Sequence, residues 1–287
     1  MSTSTPTVAV ITPAYRAEAT IVPTVRSVLA QSYPHWELVI IADDDADYAT
    51  FLVQHGITDR RIKHLSSGQF GGGASAARNV ALEHITTPYA AILDADDRLK
   101  PHKLELAVAA LSHHGIVTTA LDVMDESFVH LRDVAAGPDH ELTPGQHKWV
   151  NVSMDSMLVW DRAKADGRYD TSMSNMADLE FLLQLYRTVP ASFHLGTPLH
   201  DYIKRAGSMS NGAKTAAGMV ASKITLLQRL ASGYYPLADG GVEGMGAFLT
   251  ASLEAEKHYE AALAAQPGLL FEDHLEPRLA SSGLNPI

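Results

Sequence analysis

Between residues 7 and 113, short apolar runs alternate with amphipathic stretches, and that rhythm leaves few folds open. Residues 7–12 (TVAVIT), 36–42 (WELVIIA) and 89–93 (YAAIL) are apolar or β-branched almost throughout. Runs of that length and composition are strands buried on both faces. Pro13 is expected to end the first, because proline has no N–H for a ladder. A shorter run at 61–65 is a further candidate strand. Residues 17–31 place Ile21, Val25, Val28 and Leu29 on one helical face, and residues 48–55, 74–84 and 101–113 also read as helices. Strand–helix alternation predicts an α/β fold: a Rossmann-like, mostly parallel sheet with right-handed crossovers, flanked by helices.

From Gly115 the rhythm loosens. Residues 117–123 read as a strand, and residues 133–146, rich in Gly, Pro and polar side chains, as a loop. Residues 150–160 carry mixed signals. Residues 178–187 predict a helix with Leu179, Leu182, Leu183 and Tyr186 on its apolar side. After Asn211 the chain reads as wholly helical, with amphipathic spacing over 217–232 and 247–265. A turn is expected at Gly240, Gly241, Gly244 and Gly246. No internal repeat is visible. Three parts are expected: 1–114, 115–211 and a helical C-terminal extension at 212–287.

A chain of 287 residues can form one large domain or two lobes on a shared core. Its formal charge of −11 argues against nucleic acid and anionic membrane as general partners. Without cysteine there is neither a disulfide nor a thiolate metal site. The first residues lack a basic n-region and an apolar h-region, and no stretch is long enough to span a bilayer. Cytoplasmic residence is the expectation, and peripheral membrane contact is compatible with it.

In an open α/β sheet, ligands bind outside the carboxyl ends of the strands. The first strand ends in Thr12-Pro13-Ala14-Tyr15, the second in Asp43-Asp44-Asp45, and a later one in Asp94-Ala95-Asp96-Asp97. A parallel sheet brings these ends to one edge. Clustered carboxylates need a cation or hydrogen-bond donors, and oxygen-only ligands suit Mg²⁺ or Mn²⁺, which bridge to phosphate. Asp45 and Asp47 are read as turn or helix-cap residues. Gly71-x-Gly73-x-x-Ala76, with Asp94 about twenty residues on, formally meets a dinucleotide fingerprint and keeps an NAD-dependent oxidoreductase in play. Against it, the glycines do not follow the first strand, and the acidic turn is left without a role. The fourteen histidines show no zinc-type spacing.

Taken in order, VAVITPAY (8–15), LAQSYPHWELVI (29–40), the 43–45 acids, GGGASAARNVAL (71–82) and YAAILDADDRLKP (89–101) resemble the family 2 glycosyltransferases of GT-A fold. GRYD (167–170), ADLEF (177–181) and GSMSN (207–211) extend the resemblance over residues 7–211. It implies inverting transfer of a sugar from a nucleoside diphosphate donor, dependent on Mn²⁺ or Mg²⁺. By family habit UDP is favoured over GDP. The first part would then bind the nucleotide-sugar and the second the acceptor: a carbohydrate, a lipid-linked sugar or a small molecule.

Residue by residue, the resemblance implies that Thr12, Pro13 and Tyr15 flank the base. Asp43 would hydrogen-bond the base, with Asp44 as the fallback, and Arg78 would lie near the nucleotide. Asp94 and Ala95 belong to the ribose and metal turn, with Asp96 as metal ligand and Asp97 supporting it. Asp178 takes the place of the catalytic base, the competing reading being a plain helix N-cap. Lys204 and Arg205 are candidates for closing on the diphosphate, and His200 for a further ligand or a packing residue. The chain departs from the family where its paired acids are reduced to Ala177-Asp178, in the unbroken acids after the second strand, and within Gly71-Gly72-Gly73. A sugar nucleotidyltransferase lacks its glycine-rich loop here. A non-catalytic nucleotide-sugar-binding module and a homodimer built on the C-terminal helices stay open.

Overall fold

A computed structural model describes residues 5–151, 157–173, 175–204, 213–238 and 240–281. In chain order its elements are β1 (Val8–Ala14), α1 (Ile21–Leu29), β2 (Trp36–Ala42), α2 (Tyr48–Gln54), β3 (Ile62–Ser66), α3 (Ala74–His84), β4 (Tyr89–Ile92), β5 (Arg98–Leu99) and α4 (Lys103–Leu111). There follow β6 (Ile116–Met124), β7 (His130–Val134), β8 (His140–Leu142), α5 (Pro144–Val150), β9 (Val159–Asp161), α6 (Ala177–Leu185), β10 (Ser192–Ile203), α7 (Ala213–Ala231), α8 (Gly241–Ala265) and α9 (Phe271–Ser281).

One sheet runs β3-β2-β1-β4-β9-β6-β10-β5, with β7 paired to β6 and β8 to β10. The strands β3, β2, β1 and β4 are parallel, as the alternating rhythm requires. In the second half β9 runs antiparallel between β4 and β6, so the sheet is mixed. Strand side chains alternate between two cores. Val8, Val10, Leu38 and Ile40 face α1 and α4, while Ala9, Ile11, Val39 and Ile41 face α3 and α6.

Three expectations are corrected. First, β1 continues through Pro13, which pairs in register with Ile41. The carbonyl of Ile11 points to β4, accepting from Leu93 N. Pro13 points the same way, past the last β1–β4 pair at Ile92, so its missing N–H leaves no ladder bond unmade. Second, the expected loop at 133–146 holds part of β7, all of β8 and the start of α5. Its polar composition reflects strands exposed along one face. The start of α5 carries a capping box between Thr143 and Gln146, followed by Pro144. Third, Gly241, Gly244 and Gly246 lie inside α8, and only Gly240, at φ 75°, precedes it in a left-handed conformation. Gly244 serves a close approach: a Cβ there would lie 2.6 Å from the carbonyl oxygen of Gly145 in α5.

The C-terminal helices share the larger core. Leu226, Leu230, Phe248, Leu249 and Leu275 join Leu179, Phe181 and Leu182 of α6 in one cluster. Among the described residues no helix is long and apolar enough to cross a membrane.

Candidate functional site

The carboxyl ends of β1, β2 and β4 meet at one edge of the sheet, and the acids that follow β2 and β4 are held there in different ways. Asp43 is 2% exposed, and its carboxylate accepts from Ser67 Oγ (2.6 Å), Gly72 N (3.2 Å) and Gly73 N (2.7 Å). Its carbonyl accepts from Gly71 N at 2.7 Å. Asp43 therefore organises the glycine run that leads into α3, and Gly73, at φ 96°, makes that entry in a conformation suited to glycine. Asp44 accepts from Arg16 N, Ala46 N and the Tyr48 hydroxyl. Asp47 caps α2 by accepting from Thr50 N, the role read for it from the sequence. A cleft of about 350 Å³ beside α2 is lined by Asp44, Asp45 and Asp47, charges that repel a phosphate.

Thr12 is fully buried at the end of β1, and its Oγ1 has no hydrogen-bond partner among the described residues. Pro13 is half-buried. Tyr15 is 43% exposed and meets Phe70 edge-on at 5.8 Å. An exposed aromatic side chain of this kind suits the face of a planar base.

The Asp94–Asp97 turn is closed by Asp97 N donating to Asp94 O at 3.2 Å. Thr24 Oγ1 of α1 donates to Ala95 O at 3.0 Å, tying the turn to the first crossover. Arg78, from α3, reaches Asp94 at 2.5 Å with one guanidinium nitrogen and Asp178 at 2.8 Å with another. Asp94 and Asp178 are thus joined by one side chain, itself 100 positions from Asp178 in sequence. Burial alone would lower the Arg78 pKa, but Asp94 and Asp178 outweigh it and hold it above the ordinary arginine range. Asp94 and Asp178 each keep about a third of their side-chain surface, 31% and 33%, open to solvent.

Asp178 is not the N-cap of α6. Met176 holds that position in a left-handed conformation at φ 57°, and Asp178 lies in the first turn. Tyr169 stacks on Phe181 at 4.3 Å and lies 5.1 Å from the Arg78 guanidinium, walling this side of the site.

Asp96 is half-buried on the turn. Asp97 faces inward: 1% exposed, it takes His200 Nε2 at 3.0 Å and Ile203 N at 2.9 Å. Burial, then Asp94 and Asp96, push its carboxyl well above the usual range. His200 is fully buried with both ring nitrogens engaged, the second by Lys103 Nζ at 3.1 Å, which fits the packing reading of the two given for it and leaves neither nitrogen open to a ligand. Lys204 pairs with Glu272 of α9 at 3.9 Å. Arg205 and the 207–211 motif lie outside the described residues.

Asp94 and Asp96 offer carboxylate oxygens at a half-buried turn, a donor set that fits Mg²⁺ or Mn²⁺. A second group, Asp122, His130 and Asp133, brings ligand atoms within 4.8 Å of one another. Asp122 is paired there with Lys100 Nζ and His130 Nδ1, both at 2.6 Å.

Sequence reasoning missed Lys103, Tyr169, Phe70 and Tyr202. Tyr202 stands close enough to Asp97, Asp94 and Asp96 for their charges, after burial, to raise its pKa. Lys103 and Tyr169 fall within or beside the quoted motifs, but their roles depend on partners distant in sequence.

Residues 9–142 match the family described as Glycosyl transferase family 2. The teichuronic acid biosynthesis glycosyltransferase TuaG of Bacillus subtilis is 46% identical over 101 residues, 35% of this chain and 40% of that protein. An Escherichia coli relative, the UDP-Glc:alpha-D-GlcNAc-diphosphoundecaprenol beta-1,3-glucosyltransferase WfgD, is 38% identical over 109 residues, 38% of this chain and 42% of that one. The chain thus spans less than half the length of these curated relatives. S. aureus TarS in complex with UDP-GlcNAc superposes with a TM-score of 0.67 at 17% identity, covering 95% of this chain and 78% of that one. At that identity the likeness is one of fold. The family pattern thus runs from β1 to β8, a little under half of the chain, while the likeness in fold to TarS extends over nearly its whole length.

Proposed function

We propose that the chain transfers a sugar, with inversion, from a nucleoside diphosphate donor to an acceptor hydroxyl, with Mn²⁺ or Mg²⁺ bound. The observation that carries this reading is the Arg78 bridge, which brings the Asp94 turn and Asp178 within one guanidinium's span. The base would rest on Tyr15, beside the Thr12–Pro13 end of β1. Asp94 and Asp96 would hold the metal, which when bound offsets the charge developing on the leaving diphosphate. Arg78 orients the Asp178 carboxylate by fixing Oδ1. Asp178 accepts the acceptor hydroxyl proton as that oxygen bonds to the anomeric carbon. The bond to the diphosphate oxygen breaks with its electron pair on the leaving group, and one displacement inverts the centre.

UDP is the favoured nucleotide, in keeping with the UDP-GlcNAc held by TarS and the UDP-Glc in the WfgD name. The WfgD name also supports a lipid-linked glycan acceptor, with peripheral attachment at a membrane. Residues 1–114 would then form the donor half and 115–211 the acceptor half. An NAD-dependent oxidoreductase is disfavoured because the Gly71–Gly73 amides needed for a pyrophosphate are already bonded to Asp43.

The test is calorimetric titration of UDP, GDP, CDP and NAD with and without Mn²⁺. UDP is expected to bind only with metal, and Asp96→Ala to abolish that binding. Asp178→Asn should leave donor binding intact and lower transfer at least about a hundredfold. Metal-independent NAD binding, or full transfer by Asp178→Asn, would overturn the reading.

A further inference from the structure

We propose that Lys103 and His200 are positioning residues of the donor site, setting the direction in which Asp94 and Asp96 leave their turn. The inference rests on the donor-site reading above. Its basis is a hydrogen-bonded chain closed to solvent. Lys103 Nζ lies 3.1 Å from His200 Nδ1, His200 Nε2 lies 3.0 Å from Asp97 Oδ2, and Ile203 N donates to Asp97 Oδ1 at 2.9 Å. Lys103 and His200 are 0% exposed and Asp97 is 1% exposed. With Lys103 donating to Nδ1, the ring proton sits on Nε2, aimed at Asp97.

The chain links three elements: α4 through Lys103, β10 through His200 and Ile203, and the turn through Asp97. Burying three polar side chains is costly, and apolar side chains of similar volume would fill the space without that cost. What the polar chain adds is direction. Asp97 is pulled inward by two donors from β10, while Ala95 O is held on the side of α1 by Thr24. A backbone fastened at positions 95 and 97 has little freedom to rotate Asp94 and Asp96. Neither Lys103 nor His200 has surface with which to touch a ligand, so each acts through Asp97, as partners behind metal ligands commonly do.

The test compares the unaltered chain with His200→Leu, His200→Gln and Lys103→Met by calorimetric titration of UDP with Mn²⁺. His200→Leu keeps apolar bulk and removes both bonds, whereas His200→Gln retains an amide donor for Asp97. His200→Leu and Lys103→Met are expected to weaken Mn²⁺-dependent UDP binding about tenfold or more, with His200→Gln recovering most of the loss. Unchanged affinity in His200→Leu, or equal losses in the Leu and Gln variants, would overturn the positioning role. Should Lys103→Met fail to fold, the two His200 variants decide. Absence of Mn²⁺-dependent UDP binding in the unaltered chain is a separate result: it would overturn the donor-site reading, and the inference with it.

Discussion

Arg78 is 4% exposed, and a guanidinium so placed needs both of its carboxylates. Removing either leaves a buried charge half-paired, at a cost of about 3–5 kcal/mol. The same arithmetic applies with opposite sign to His194, which stays neutral. Its Nδ1 meets Thr118 Oγ1 at 2.9 Å and its Nε2 meets Ala135 O at 2.8 Å. Burial, the largest influence, lowers its pKa from 6.5 to about 4. The unfolded chain takes up this proton near pH 6.5 and the folded chain only near 4. The stability tied to His194 is therefore fully present above pH 6.5 and lost as pH falls through about 4. It amounts to about 3 kcal/mol. Thermal melts of the unaltered chain and His194→Gln across that window should show the flatter pH dependence in the variant. Parallel slopes would count against the assignment.

At the scale of elements, the contact between α5 and α8 reverses the usual rule for glycine. Inside a helix, Gly→Ala ordinarily stabilises by about 0.5–1 kcal/mol. A Cβ at Gly246 meets nothing within 4 Å, so Gly246→Ala should follow that rule. At Gly244 a Cβ would stand 2.6 Å from the Gly145 carbonyl oxygen, which is backbone and cannot swing aside. Gly244→Ala is expected to destabilise by about 1–3 kcal/mol. It would also strain the bond from Trp149 Nε1 to Gly244 O and the Trp149–Phe248 edge contact. Denaturant unfolding of the two variants side by side is the check, and shifts of the same sign in both would refute the close-packing account.

Across the whole molecule, the C-terminal helices complete the core beneath α6. The Glu180 side chain is fully buried and accepts from Tyr235 Oη at 2.8 Å, Gln184 Nε2 at 2.7 Å and Arg229 Nη1 at 3.2 Å. Arg229 also grips Asp170, so α7 is tied to both ends of the segment that carries Asp178. Truncation after residue 212 would strip the Glu180 carboxylate of two donors and uncover Leu179, Leu182 and Leu183. We expect the shortened chain to lose cooperative thermal unfolding, measured by calorimetry. A sharp transition at the original temperature would mean that the helices are an appendage.

The alternation of strand and helix across residues 7–113 is legible in the sequence because apolar periodicity is a local property, set by neighbours a few residues away. The convergence of Thr12, Asp43 and Asp94 follows from it, since parallel strands end on one edge. Residues 130–150 are less legible, because β7 and β8 are short and partly exposed, and β8 is paired to β10, distant in the chain. Pattern cannot express which of several neighbouring acids turns outward. Asp43 turns in to hold glycine amides and Asp97 turns in to meet His200, while Asp94 meets Asp178 across Arg78. Those choices depend on the pairing of β10 with β5 and on the packing of α3 against the sheet. The sequence by itself determined the sheet edge and the residue types available there. Only the tertiary structure decided which carboxylates face a ligand, because each is assigned by a donor far away in the chain.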